Sequence, residues 1–340
     1  MTIKNTVLPL GKLNFHLLEG LLKVYQGKKD KKVIIGPKFG EDAAVINFGK
    51  QYLVATIDPI TFVTDEIGWY AVQVNANDIA SMGAIPKWFL STILLPEKRA
   101  SKDLVEKNFA QIDKACRKIN VIVIGGHTEI TRQLDRPIVV GCMLGEVKKE
   151  KLVSTSGAKV GDLIILTKGI VIEGTSIIAR EKENELRKRG YSQIFIKRCK
   201  NFLYRPGISV LKEALLANQF HLHAMHDPTE GGLAAAFYEL AQASKIGILI
   251  EKEKIPILKE SKILCEEYNL DPLRTITSGS LLIVAPKRET EKIVCFLEKN
   301  KIKASIIGEV REKNFGIKIK EMGKIKNLRV SSKDEITKIF

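Results

Sequence analysis

The 340-residue chain has no apolar run of the ~18 residues that cross a bilayer as a helix. Its first residues lead into no signal-peptide hydrophobic stretch. A cytoplasmic protein is expected, with no membrane partner. Cysteine is scarce: Cys116, Cys142, Cys199, Cys265 and Cys295 are scattered, with no CxxC pair. That fits a reduced compartment and idle thiols rather than a disulfide framework. Aromatic residues make up 6% and do not interleave with the basic runs, so no stacking platform for single strands is evident. The formal charge is +16, but the lysine clusters at 28–32, 148–151 and 187–189 are spread out, and the first two are mixed with acids. They read as solvated surface, and nucleic acid is not an expected partner. No Walker sequence is present.

Three acidic stretches stand out instead. They are Gly40-Glu41-Asp42-Ala43-Ala44-Val45, Thr56-Ile57-Asp58-Pro59-Ile60 and, over 75–84, the segment containing Asn75, Asn77 and Asp78. Each sets a carboxylate beside an apolar strand or helix and next to small residues. Carboxylates that converge in a partly dry cleft repel unless a cation lies between them. Asp and Asn oxygens suit Mg²⁺, which also takes oxygens from nucleotide phosphates. The stretches point to an ATP·Mg²⁺ enzyme.

The length allows two domains. A boundary is read near 148–158, where charge, Ser and Gly accumulate, giving domains over 1–152 and 153–340. Strands and helices do not alternate regularly, so the fold class is α+β. A helix is expected from about Trp69 to Met82, closed by Gly83. Val121, Ile122, Val123 and Ile124 read as a buried strand running into a Gly125-Gly126 turn, and Asp58 as the end of a strand. The tail after Gly323 is polar and carries no motif.

Several motifs have two readings. The loop 36–42 either brings backbone N–H groups and Lys38 to a phosphate or is a plain connection. Asp58 is a ligand or a turn residue. Asn75 and Asp78, three apart, share a helix face in an apolar setting, where a buried acid needs a partner or a metal. His127, after Gly125-Gly126 and before Thr128 and Glu129, coordinates metal, bonds phosphate or caps a turn. The run His226-Asp227-Pro228-Thr229-Glu230-Gly231-Gly232 opens an apolar helix, either as an anion site or as a capping box.

Taken in order, GEDAAVI, TIDPITF, VNANDIASMGAIP, GGHTE, EGT and HDPTEGGLAAAFYELA resemble the aminoimidazole ribonucleotide synthetase (PurM-like) superfamily. Its other branches are the hydrogenase-maturation factor HypE, thiamine-monophosphate kinase and selenophosphate synthetase. The resemblance spans about 33–310 and is strongest to HypE. It implies an N-terminal α+β domain that pairs with its twin in a homodimer, and a C-terminal α/β domain. It also implies ATP and Mg²⁺ as cofactors, and phosphorylation of an amide or carbonyl oxygen on a small-molecule or protein-borne acceptor. Carried over residue by residue, the metal positions fall on Asp42, Asp58, Asp78 and Asn77. Nucleotide contacts fall on Gly40, Glu41, Asn75, Gly125, Gly126, Thr128 and Thr229. Lys38, His127 and Asp227 take the catalytic roles. The terminal cysteine of HypE proteins has no counterpart here, and His127 stands where other branches often carry an acid. A small-metabolite kinase, or a nucleotide-binding accessory protein with little turnover, are the alternative readings.

Overall fold

A computed structural model of the chain describes Leu8, residues 10–331 and residues 333–340. The first half folds as β1 (Val33–Ile35), β2 (Ala44–Phe48), β3 (Gln51–Ile60), β4 (Ile85–Pro96), β5 (Ile122–Thr131) and β6 (Ile138–Lys148), with α1 (Phe15–Val24), α2 (Ile67–Ser81) and α3 (Lys102–Lys118). These strands form one sheet in the order β1-β2-β3-β6-β4-β5. Neighbours are antiparallel except β4 and β5.

Every residue of α2 is buried. The helix packs on β3 and β6 on one side, on α3 beside it, and on the second domain. Glycine in β6 permits the close approach: a Cβ on Gly145 would lie 2.3 Å from Ile79 Cγ2, and one on Gly141 2.5 Å from Asn75 Nδ2. An unpaired buried polar group costs about 1–3 kcal/mol, and Asn75, Asn77 and Ser81 of this enclosed helix are hydrogen-bonded, whereas the Gln73 amide and the Trp69 indole N–H are not.

The second domain contains β7 (Leu163–Thr167), β8 (Ala224–His226), β9 (Gly247–Glu251), β10 (Leu282–Ala285), β11 (Ala304–Arg311), β12 (Ile317–Glu321) and β13 (Lys324–Asn327). Its helices are α4 (Ile172–Glu181), α5 (Glu183–Lys188), α6 (Gln193–Lys200), α7 (Leu211–Ala217), α8 (Gly232–Ser244), α9 (Lys259–Glu267) and α10 (Lys287–Lys299). The sheet order is β13-β12-β9-β11-β7-β10-β8. Only β12 and β9 pair in parallel, so this half mixes helix and strand around a mainly antiparallel sheet. Among the described residues no helix is long and apolar enough to cross a membrane.

Three expectations need correction. β5 runs straight through Gly125 and Gly126 without a turn, at the edge of the sheet, and Ile122, Val123, Ile124 and Ile130 are exposed. Hydrophobicity marks surface that avoids water, and it does not separate a core from an interface. β3 does not stop at Asp58. β2 pairs with β3 only as far as Ala55, so residues 56–60 bond β6 alone, and that free side tolerates Pro59. The tail is not merely polar: Asp334, Glu335, Ile336 and Thr337 are buried, and Asp334 accepts the Gly231 N–H at 2.6 Å.

Asn77 ties the halves together. Its Nδ2 donates to the Ile208 carbonyl at 2.8 Å and its Oδ1 accepts from the Val210 N–H at 2.8 Å. Asn77→Ala strands both backbone groups in a dry seam. We expect a loss of about 2–4 kcal/mol in urea unfolding. A change below about 0.5 kcal/mol would contradict this structural role.

Candidate functional site

The site lies where α2, the free half of β3, the loop before β2 and the loop after β8 meet. Side chains alternate along a strand, so Thr56 and Asp58 share one face of β3 and Ile57 takes the other. Ile57 is exposed, whereas Thr56 Oγ1 donates to Asp78 Oδ2 of α2 at 2.6 Å. The Asp58 N–H bonds Asn75 Oδ1 at 3.0 Å, which fixes the backbone beside Asp78. Across the seam, Ser81 Oγ lies 3.0 Å from Asp227 Oδ1 and 2.9 Å from the Asn77 carbonyl. Asp42 closes the ring: one ligand atom each from Asp42, His226 and Asp227 lies within 4.8 Å of the others.

Asp42, Asp58, Asp78 and Asp227 act on one another electrostatically. Burial raises the Asp78 pKa well above the carboxylate range, and the charges of Asp58, Asp227 and Asp42 raise it further. Asp227 is raised well above that range too, first by burial and then by Asp42 and Asp58, against the pull of His226 and Ser81. Asp42 is also raised by burial, with His226 opposing and Glu239 and Glu41 adding to it. Asp227 Oδ2 is buried with no hydrogen-bond partner.

His226 and Glu239 complete the arrangement: the sequence reading named His226 only within the run that opens α8, and did not single out Glu239. His226 Nδ1 sits 2.5 Å from Asp42 Oδ1 and Nε2 3.0 Å from Glu239 Oε2. Burial works to lower the imidazole pKa, but the two carboxylates push it well above its ordinary value, which favours the charged ring. The adjacent Asp227 marked the right loop. Glu239, the one acid in the apolar run 233–243, was the readable signal for a buried carboxylate.

The remaining expected residues divide. Asn77 leaves the ligand set, because both ends of its amide are bonded to the backbone at Ile208 and Val210. Asn75 is likewise spent on Asp58 and on the Ala71 carbonyl at 2.8 Å, so it positions β3. Lys38 is half-exposed and paired with Glu41 at 3.3 Å. Glu41 itself accepts the Thr155 N–H at 3.2 Å. Gly40 has φ +84°, and a Cβ there would lie 2.7 Å from the Glu239 carbonyl, so it lets the Asp42 loop seat on α8. Thr229 stands at the mouth, 3.4 Å from the Lys12 ammonium.

Gly125, Gly126, His127 and Thr128 are not in the ring within one chain. Gly126 pairs with Ser91, Ser91 with Gly141, and Gly141 with Asp58. Three strand spacings, about 14 Å, separate them. His127 is exposed, with Glu129 at 3.4 Å.

An all-oxygen set of crowded carboxylates, one with an unpartnered buried oxygen, fits a hard divalent cation such as Mg²⁺. Asp42, Asp58, Asp78 and Asp227 would hold it.

With that geometry in view, the family comparisons are direct. The descriptions "AIR synthase related protein, N-terminal domain" and "AIR synthase related protein, C-terminal domain" match residues 40–147 and 159–320. The chain belongs to the AIR synthase-related family. It is 31% identical over 290 residues to a putative hydrogenase expression/formation protein of Methanocaldococcus jannaschii, covering 83% of each. Its fold is that of the HypE–HypF complex structure, with TM-score 0.74, 22% identity, and coverage of 93% of this chain and 99% of that one. It matches equally well the ThiL structure complexed with AMPPCP and TMP, with TM-score 0.73, 23% identity, and coverage of 98% and 99%.

A carboxyl whose folded pKa is raised adds stability while protonated and loses it as pH rises through that pKa; a raised histidine has the same sign. The metal-free protein should therefore lose stability as pH rises above the ordinary carboxylate range, and the Mg²⁺-induced rise in Tm should grow with pH. Asp78→Asn keeps an acceptor for Thr56 and removes one like charge. It should raise the metal-free Tm by about 2–4 °C, and the Mg²⁺ shift should shrink. A lower metal-free Tm with an intact Mg²⁺ shift would contradict the assignment.

Proposed function

We propose that this chain is an ATP·Mg²⁺-dependent phosphoryl-transfer protein that activates an amide or carbonyl oxygen of its substrate. The observation that carries the reading is the meeting of Asp42 and Asp227 beside His226, with Asp78 joined to them across Thr56 and Ser81 and Asp58 on the same strand face as Thr56. Phosphoryl transfer asks a protein mainly to position the reactants and neutralise charge. Mg²⁺ held by these acids would neutralise the polyphosphate. Asp227, with its free oxygen, would face the γ-phosphate and acceptor. Similarity to a hydrogenase expression/formation protein and to HypE favours a place in metallocentre maturation. The ThiL match, which covers nearly all of both chains, supports a kinase of a small phosphorylated metabolite as the second reading. A stable phosphorylated product distinguishes that kinase from an activating enzyme, which releases phosphate.

The working unit in this reading is a homodimer. β5 leaves an apolar edge strand open to solvent, a surface that monomers rarely retain. Pairing of two such edges would carry Gly125, Gly126, His127 and Thr128 of one chain toward the cleft of its twin, where they are about 14 Å too remote in a single chain.

Asp78→Ala should abolish Mg²⁺-dependent ATP turnover, by about a hundredfold or more, while circular dichroism stays native. Unchanged hydrolysis would refute the assignment. By light scattering after size exclusion, the protein should run as a dimer and Ile124→Lys as a monomer. A variant that remains dimeric would exclude β5 as the contact.

A further inference from the structure

The segment ahead of α1 enters the acidic cleft, and neither a family motif nor the reading above uses it. Gly11 has φ +108°, and a Cβ there would lie 2.9 Å from Glu230 Oε1. The Lys12 N–H donates to that same oxygen at 3.1 Å. The Lys12 ammonium then lies 3.4 Å from Thr229 Oγ1 and 3.7 Å from Glu239 Oε1. Glu239 holds His226, and His226 holds Asp42, so the ammonium reaches the carboxylate ring through three ion pairs. Against the opposing effect of burial, the charges of Glu239, Glu230, Asp58 and Asp78 all favour the protonated amine. The side chain keeps 38% of its surface open, so the cation stands at the mouth of the cleft and is not sealed inside.

The segment is anchored on the elements that build the ring. Phe15 stacks on Tyr238 of α8 with centroids 4.9 Å apart and 18° between planes, and lies 5.3 Å from Phe39 in the loop that carries Asp42. Asn14 caps α1, accepting the His16 N–H at 3.0 Å. The chain thus delivers a fixed positive charge to a place that a divalent cation would also favour.

We propose that Lys12 is a positioning residue that serves as the resident counter-cation of the cleft, competing with a divalent ion in the free protein and pairing with the phosphates of a bound nucleotide. The inference rests on the metal-nucleotide reading above. Its physical basis is a change of sign. Without phosphates, the ammonium beside Glu239 and a metal on the neighbouring aspartates repel one another. With phosphates present, the added negative charge holds both cations together.

The test is Mn²⁺ titration, followed by electron paramagnetic resonance, of the full chain alone and with AMPPCP. Lys12→Gln should tighten Mn²⁺ binding to the free protein by about fivefold and weaken binding of the Mn²⁺·AMPPCP complex by a similar factor. Lys12→Arg, which keeps the charge, should restore both toward wild type. A merely structural role moves both affinities in one direction or neither, and either result overturns the proposal. If wild type binds no Mn²⁺ with or without AMPPCP, the metal-nucleotide reading itself fails. If wild type binds both and Lys12→Gln shows no crossover, only the lysine's role fails.

Discussion

Mutual repulsion among buried acids is the constraint on which the rest of this molecule turns. Two unit charges 4 Å apart cost about 4 kcal/mol at the effective dielectric of a partly exposed protein site. Asp78 and Asp227 are buried and Asp42 is partly so; burial raises all three pKa values, and the charges of Asp227 and Asp42 add to it at Asp78 and that of Asp42 at Asp227. A chain selected for stability alone would not gather them. The fold tolerates the set because hydrogen-bond donors face it: the hydroxyls of Thr56 and Ser81, and the His226 ring between Asp42 and Glu239. What remains uncompensated is a standing preference for a cation, concentrated at Asp227 Oδ2.

The architecture follows from presenting that set in one place. The half of β3 beyond Ala55 has no β2 partner, which frees Thr56 and Asp58 at a strand edge. Glycines at 141 and 145 let α2 sit close on β6. Asn75 then pins the helix to β3, and Asn77 pins it to the second domain. Asp78 follows directly on these two fastenings, and Ser81, one turn further, meets Asp227. The polar residues of α2 therefore divide between scaffolding and chemistry along a single helix.

Much of this was readable in the sequence, and the misreadings have physical causes. Asp42, Asp58, Asp78 and Asp227 were singled out as acids beside apolar and small residues, with a turn at Asp58 and a helix cap at Asp227 as the other readings. Asn75 and Asn77 were misread because helical spacing says which residues share a face but not whether that face meets a carboxylate or another domain's backbone. The run 122–124 was assigned to the core because an apolar strand at an exposed sheet edge has the same composition as a buried one. Lys38 was overvalued because a lysine in a glycine-bearing loop resembles a phosphate ligand, yet Glu41, three residues on, takes its charge. Partnerships such as His226 with Asp42, 184 residues apart, leave no local trace.

The account is tested most directly by a crystal structure of the protein grown with Mn²⁺ and a non-hydrolysable ATP analogue, with anomalous data at the manganese edge. It predicts an anomalous peak bounded by oxygens of Asp42, Asp58, Asp78 and Asp227 and by the nucleotide phosphates. A bound nucleotide whose metal lies away from those four side chains, or a ring that remains bonded only to itself, would contradict it.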